Sequence, residues 1–548
     1  MAIEHGCLQR RIAWSILARA DGAMAGLGNV ERGGRRARVL LVSPNLKGLT
    51  DGVNRIQPGM GIAYLAAILR QQGHDVHVRD TALEGYETRT PLPDGRTVLI
   101  GETDEQVAAF IDKVQPDIVG ISVVYSNLAD SARRIAKIVK SVKPDTHTVI
   151  GGNHVTNGYR DFFRATSTGQ HNSPLKNLFF RDIDDENIDF AMVGEADFEF
   201  PRLVDRLING QRTTDLTNLI HKRRDNPLQM AGPPVTRTIA RSGITSLPNP
   251  AWDLFNMKRY FEIGAFQSPR TNAEKILPIM VSRGCPEVCT FCTTPDTWGM
   301  KVRWRTPENV RSEIQNAIAV FGGVDEIQLV DDNITANLRG LYGLCDVLEE
   351  FGIQWCTPNG TKANYFMGQQ PTYYKRMKDA GCYQITIACE SGNQRVMDNI
   401  VRKRLKMWEI AKAVENAKNA GLFVHTFWIA GFPGETRDEM EESMAFAASI
   451  GADSYSVSIL SPLPGTPIYH QIVENELWWP EAGGFDHMTY RSSLVRVDGF
   501  DGPTEFETWV NQQNRRLNAL LEKKDPARAA AYERLRDQSL KDSTIQQT

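Results

Sequence analysis

Arg283-Gly284-Cys285-Pro286-Glu287-Val288-Cys289-Thr290-Phe291-Cys292 follows an apolar run and sets three cysteines at spacing C-x₃-C-x₂-C on one short loop. No fourth cysteine lies close: the next, Cys345, is 53 residues on. Iron–sulfur clusters are held by cysteine thiolates, usually four. Three thiolates on a four-iron cluster leave one iron with an open position that can bind a small molecule as well as pass electrons. Zinc is the competing reading, but structural zinc closes a four-ligand tetrahedron, and no histidine occurs between Cys292 and His425.

Outward from this loop the chain alternates strands and helices. Strands are expected at Leu277–Ser282, Glu326–Val330, Ile353–Thr357, Gln384–Cys389, Phe423–Ala430 and Tyr455–Leu460, with helices such as 307–320, 338–351 and 406–420 between them. Six such units predict a partial parallel (β/α)6 barrel, whose active site lies where the strands end. The motifs fall there: the cysteine loop, Asp331-Asp332-Asn333, Glu390-Ser391-Gly392 and Gly431-Phe432-Pro433-Gly434-Glu435.

Residues 38–210 show a second α/β series, with the clearest buried strand at Asp117–Val123. That pattern predicts a doubly wound, Rossmann-like sheet, which binds ligands beyond the carboxyl ends of its strands. Those ends carry Ser122, Gly151, Gly152, Asn153 and His154, with Glu195 just past a later strand. Five segments follow: an extension 1–37, the domain 38–210, a Pro-rich linker 211–270, the barrel 271–480 and a helical region 481–548. Residues 157–187 are expected to be a polar, mobile insertion. Arg10-Arg11 and the short apolar piece after them mark the extension as mobile or docking, not as a targeting peptide.

Composition is that of an ordinary globular protein, 41% hydrophobic and 24% charged. A net charge of −3 gives no whole-chain argument for nucleic acid or an anionic membrane. No apolar run reaches the roughly 18 residues of a spanning helix. Eight cysteines in 548 residues are no disulfide framework, so a reducing cytoplasm is the expected location.

The two halves in this order, with the bridge Leu247-Pro248-Asn249-Pro250-Ala251-Trp252-Asp253 and the aromatic Phe291 before the third cysteine, resemble the cobalamin-binding radical S-adenosylmethionine (SAM) family. Cys289-Thr290-Phe291-Cys292-Thr293-Thr294, Trp298-Gly299, Asp331-Asp332-Asn333-Ile334-Thr335, Thr357-Pro358 and Gly360-Thr361 are similar to methylases of phosphorus-containing antibiotics. The fosfomycin-type hydroxyethylphosphonate methylases and the phosphinothricin-type P-methylases both fit, although Pro295-Asp296-Thr297 and the N-terminal extension depart from the former. The resemblance implies a 4Fe-4S cluster on Cys285, Cys289 and Cys292, with SAM on the open iron. It also implies cobalamin at the first domain and a methyl group passed from methylcobalamin to a phosphinate phosphorus or sp³ carbon. Two SAM molecules would be spent per turnover, one to methylate the cobalamin and one cleaved to a 5′-deoxyadenosyl radical. A cyclase or rearrangement enzyme of the same build, and a methylase of a non-phosphorus precursor, are the alternatives. Beyond a small-molecule substrate, the partner implied is a one-electron donor, a flavodoxin- or ferredoxin-like protein or a chemical reductant. Neither nucleic acid nor membrane is expected.

Further residues are candidates. Phe291, Glu390, Ser391 and Gly431 are placed at SAM, with Ser391 equally a helix cap. Ser122, Gly151, Gly152, Asn153, His154 and Glu195 are placed at cobalamin. Lys301, Arg303 and Arg305 alternate after the cysteine loop, where guanidinium forks suit a phosphonate or carboxylate; a solvated strand face is the plainer reading. His77 lies in Asp75-Val76-His77-Val78-Arg79-Asp80, which lacks the glycine of the cobalt-ligating D-x-H-x-x-G pattern. It reads as a strand residue, leaving the lower face of cobalt without a histidine and open to a residue of Leu46–Gln57. Cys345, Cys356, Cys382 and Cys389 read as core thiols.

Overall fold

The apolar run Val39–Val42 is buried on both faces, as a central parallel strand must be. It forms β1 (Arg38–Ser43) of the first sheet, with β2 (Asp75–Asp80), β3 (Ile118–Ser122), β4 (His147–Gly151), β5 (Phe190–Met192) and β6 (Leu219–His221). In this computed structural model, residues 35–50, 54–93, 95, 97–168, 182–183, 185–221, 241–267, 273–480, 488–519 and 526 are described. The strand order is β2-β1-β3-β4-β5-β6, parallel except for β6. The order reverses between β1 and β3, which puts the ligand crevice of a doubly wound sheet beyond Ser43 and Ser122. His77 lies within β2, as expected, with its Nε2 3.2 Å from Asp75.

Three local expectations are corrected. The expected insertion at 157–187 begins as regular helix, Asn153–Thr168, and 169–181 lie outside the described residues. The linker assigned to 211–270 contributes β6 to the first sheet and the helix Met257–Ile263, whose Tyr260 donates to buried Asp80 at 2.5 Å. Leu46–Leu49 is a strand, not a loop, pairing with Thr97–Ile100 in a small antiparallel sheet. The extension through residue 34 and, within the expected helical region 481–548, residues 481–487, 520–525 and 527–548 lie outside the described residues.

The second sheet holds β7 (Ile276–Ile279), β8 (Glu326–Leu329), β9 (Gln354–Thr361), β10 (Cys382–Glu390), β11 (Phe423–Ala430) and β12 (Ser454–Ile459), in sequential order and all parallel. β7 and β12 do not pair, so the barrel is open along one seam. Its flanking helices are closed at both ends: Thr306 caps Pro307–Phe321, Asn337 caps Leu338–Phe351, and Gly322 and Gly352 end them in left-handed conformation. The free edge of β12 is covered by the helix Pro503–Asn518. Asn518 bonds Tyr455 N–H and C=O at 3.0 and 2.9 Å, and Asn514 does the same for Val457 at 2.8 and 2.7 Å. Two side-chain amides one helical turn apart thus stand in for a neighbouring strand.

Along β11, Val424, Thr426, Trp428 and Ala430 are buried while Phe423, His425, Phe427 and Ile429 are only partly so. Trp428 packs on Phe446 of the helix Arg437–Ser449, so the half-open set faces the barrel interior.

Candidate active site at the mouth of the barrel

Beyond β7 the chain forms a two-residue hairpin, Ser282–Arg283 against Arg303–Trp304, that carries the cysteine loop. Asp331, just past β8, holds its base. The carboxylate accepts Val281 N–H at 3.1 Å, Ser282 N–H at 2.5 Å and Ser282 Oγ at 2.6 Å. Burial pushes the Asp331 carboxyl up to about 7 despite these donors. Gly284 has φ +100°, and a Cβ there would lie 2.6 Å from Lys301 O, a backbone atom that cannot yield.

The loop is fastened on both flanks. Glu287, between the first two cysteines, takes Lys362 Nζ at 2.9 Å and the Tyr365 hydroxyl. Burial pushes Glu287 up, but these two partners outweigh it and leave it below the ordinary range. Thr290, between the second and third, donates its N–H to Val401 O at 3.1 Å and its hydroxyl to Ile400 O at 2.6 Å. Burial raises all three thiols, Cys285 to about 11 and Cys289 to about 12, with Cys292 moved the same way. Thr294 N–H donates to Cys292 Sγ at 3.4 Å. Asp332, raised to about 6 by burial, accepts the Thr294 hydroxyl at 3.1 Å.

Glu390 ends β10 with φ +65°, a strained conformation for a residue with a side chain. Lys403 holds it there, its buried Nζ 2.6 Å from Glu390 Oε1 and 2.7 Å from Ala388 O. Burial would lower the Lys403 ammonium, but Glu390 more than offsets it and leaves it above its usual value. Ser391 is buried and bonds the turn before the next helix, accepting Asn393 N–H at 3.2 Å, and its Oγ lies 3.1 Å from Ser443 Oγ. The cap itself is Asn393, whose Oδ1 accepts Val396 N–H at 3.0 Å. Gly431 (φ +88°) is backed by Phe506, 2.8 Å from where a Cβ would sit. Its N–H and that of Phe432 donate to Glu435 Oε2 at 3.0 and 3.1 Å. Phe291 meets Phe432 at a ring separation of 6.0 Å, joining the cysteine loop to this glycine turn.

Arg303 and Arg305 do not serve as substrate ligands here, because buried carboxylates consume both. Arg303 forks onto Glu195 at 2.9 and 2.5 Å and reaches Trp298 O at 2.6 Å. Arg305 pairs with Glu313, and Tyr64 of the first domain bonds both. Arg283 forks onto Asp197 at 2.9 and 3.0 Å. The turn after β5 thus clamps both strands of the hairpin, and Glu195 spends its carboxylate on this clamp. Lys301 remains exposed.

At the first sheet, Gly152 (φ +112°) is glycine because Val123 O lies 2.6 Å from a would-be Cβ, and Val123 N–H bonds Gly151 O at 2.7 Å. Asn153 starts the following helix. His154 has both ring nitrogens engaged, with Ser126 Oγ at 2.9 Å and Asp182 at 2.6 Å. Next to Ser126, Tyr125 is 57% exposed, yet surrounding protein raises its hydroxyl by desolvation. Tyr125 stands just past Ser122, at the carboxyl end of β3. Sequence reasoning missed Asp197, Arg283, Glu287, Lys362 and Lys403; the first four are charges close to motifs it had singled out, but nothing in one sequence pairs them.

Comparison with known proteins agrees with this architecture. Residues 279–447 match the radical SAM superfamily and residues 47–171 the B12 binding domain. The cytidylyl-2-hydroxyethylphosphonate methyltransferase of Streptomyces wedmorensis is 30% identical over 508 residues, 88% of this chain and 90% of that protein. The chain belongs to the cobalamin-dependent radical SAM methyltransferases. The anaerobic magnesium-protoporphyrin IX monomethyl ester cyclase of Cereibacter sphaeroides is 24% identical to this methyltransferase, over 79% of this chain and 63% of that protein. The fold of the methyltransferase matches that of the radical SAM methyltransferase TsrM from Kitasatospora setae, solved with cobalamin and a [4Fe-4S] cluster, at TM-score 0.58. Identity there is 15%, covering 80% of this chain and 78% of that one.

The cofactors of the family are a 4Fe-4S cluster, SAM and cobalamin, and the site fits them. Three cysteine thiols on one short loop are the donor set such a cluster takes. At the first sheet, Gly151 and Gly152 end a central strand without side chains, leaving backbone that a broad flat ligand could approach closely. No helix among the described residues is long and apolar enough to cross a membrane.

Proposed function

We propose that this methyltransferase methylates a phosphonate or phosphinate precursor of an antibiotic, presented as its cytidylyl conjugate. The observation that carries this reading is the 30% identity to the cytidylyl-2-hydroxyethylphosphonate methyltransferase, sustained over 88% of the chain. In the same reading Cys285, Cys289 and Cys292 hold the cluster. Phe291, Glu390 and the Gly431 turn border SAM, and the loops after Ser122, Gly151 and Gly194 border cobalamin.

When bound, the cluster with SAM supplies hydrogen-abstracting radical chemistry, and cobalamin supplies the methyl group to a centre that is no nucleophile. The residues do the rest. The three cysteines surrender their protons. Glu287 and Thr290 immobilise the loop so that its geometry is set before substrate arrives. Lys403 neutralises Glu390, so the carboxylate can stay buried beside Cys289. Phe423, His425, Phe427 and Ile429 line the interior, where His425, its Nδ1 2.7 Å from Ser454 Oγ, is held for polar contact with substrate. The aromatic surface keeps water from reactive species.

The test is anaerobic turnover with SAM carrying a trideuteromethyl group, offered cytidylyl-2-hydroxyethylphosphonate, the free phosphonate and a cytidylyl phosphinate. A product bearing the labelled methyl, with 5′-deoxyadenosine formed alongside, is expected. Cleavage of SAM with no methylated phosphorus compound from any of the three would reject the substrate class.

A further inference from the structure

Immediately behind the cysteine loop the chain reads Val401-Arg402-Lys403-Arg404-Leu405-Lys406-Met407-Trp408. Its side chains alternate. Val401, Lys403 and Leu405 are buried, whereas Arg402, Arg404, Lys406 and Trp408 are exposed, Trp408 by 64%. Arg402 and Arg404 are left-handed (φ +56° and +57°), which fixes the segment as a rigid, irregular wall. Asn364 ties the neighbouring loop to it, donating to Arg404 O at 3.0 Å and Glu409 Oε2 at 3.1 Å. That loop adds Phe366, itself 40% exposed. Arg402, Arg404, Lys406 and Trp408 thus stand exposed along one short stretch, with Phe366 exposed on the loop that Asn364 ties to it. Of the nearby carboxylates, Asp398 pairs with Lys406 at 3.0 Å, and Glu409 is spent on the Lys406 N–H and on Asn364.

The inner side of the same wall holds the cysteines. Val401 O and Ile400 O receive Thr290, the residue after Cys289, and Tyr365, next to Phe366, holds Glu287. Lys403 points inward to Glu390. One hydrogen bond and a few covalent bonds therefore separate the basic face from Cys289.

We propose that Arg402, Arg404, Lys406, Trp408 and Phe366 form the docking surface for an acidic one-electron carrier protein that reduces the cluster from behind. The proposal rests on the cluster assignment but not on the substrate class. In each encounter one electron leaves the carrier and enters the cluster, so the carrier is oxidised by one equivalent and the cluster reduced by one. Arg and aromatic residues are what interfaces favour at their centres, and electron-transfer encounters are small enough for such a patch. Opposite charge speeds encounter and makes it salt-sensitive.

The test uses cluster-loaded enzyme without substrate, mixed anaerobically with a reduced flavodoxin, and follows cluster absorbance. For the native enzyme the bimolecular rate constant is expected to fall at least tenfold between low and high salt. In R402E/R404E it is expected to fall at least tenfold at low salt, while reduction by dithionite and the iron content stay unchanged. Carbodiimide cross-linking is expected to join Lys406 to the flavodoxin. Should the double reversal also disturb iron content, Trp408→Ala and the salt dependence of the native enzyme decide. A native rate indifferent to salt, or a variant reduced by flavodoxin at the native rate, overturns the proposal. So does retention of a single-stranded RNA by this face without any effect of R402E/R404E on reduction.

Discussion

Arg283 and Asp197 face each other across the two domains, joined by parallel hydrogen bonds of 2.9 and 3.0 Å in a setting that excludes water. The arginine lies two residues before Cys285, so the first domain grips the cluster loop at its root. Asp197→Asn would leave the buried guanidinium only the longer contact to Glu195, 3.9 Å away and shared with Arg303, so the loss should fall below the roughly 3–5 kcal/mol of a buried charge with no partner at all. Anaerobic urea unfolding of the loaded enzyme should show it, and the double variant R283M/D197L should recover much of the loss.

Gly284→Ala meets a fixed obstacle. With φ +100° and Lys301 O 2.6 Å from the new Cβ, the hairpin must shift. Backbone strain of this kind costs on the order of 1–3 kcal/mol. Iron and sulfide retained after anaerobic reconstitution should drop below the native amounts, while binding of cobalamin, read by its visible spectrum, should persist.

Cys289→Ala should lower iron from about four per chain to almost none and abolish 5′-deoxyadenosine formation. Cobalamin affinity should be unaffected, because Ser122, Gly151 and Gly152 belong to the other sheet.

Glu435 provides a pH signature. Burial pushes its carboxyl up to about 8 from an ordinary 4.5, although it accepts two backbone amides. The folded chain then keeps a proton that the unfolded chain releases, so stability is greatest below about 4.5 and falls as pH rises toward 8. Above 8 both states are ionised and the dependence flattens. Glu435→Gln keeps the acceptor for Gly431 and Phe432 but cannot ionise. Melting temperatures measured from pH 5 to 9 should diverge in favour of the variant up to about pH 8 and run parallel beyond it.

Much of this was legible in the sequence because strand periodicity and loop motifs are local. Phe423–Ala430 was placed residue for residue, and the cysteine loop, Asp331, Glu390 and the glycine turn all lie at strand ends as expected. What escaped depended on contacts between residues far apart in the chain. Arg303 and Arg305 have the composition of an anion site, but their partners Glu195 and Glu313 come from another domain and a neighbouring helix. The strand Leu219–His221 is only three residues long and gains its conformation from pairing with β5, so its own sequence carries almost no signal. Lys403 reads as one member of a solvated basic run until the fold turns it inward.

The paired amides of Asn514 and Asn518 have a consequence for self-association. They satisfy the backbone of Tyr455 and Val457, and Ile459 N–H is met by Tyr490 O at 3.1 Å. Polypeptide edges from other molecules, which a bare strand would recruit, find every bond at Tyr455 and Val457 already taken.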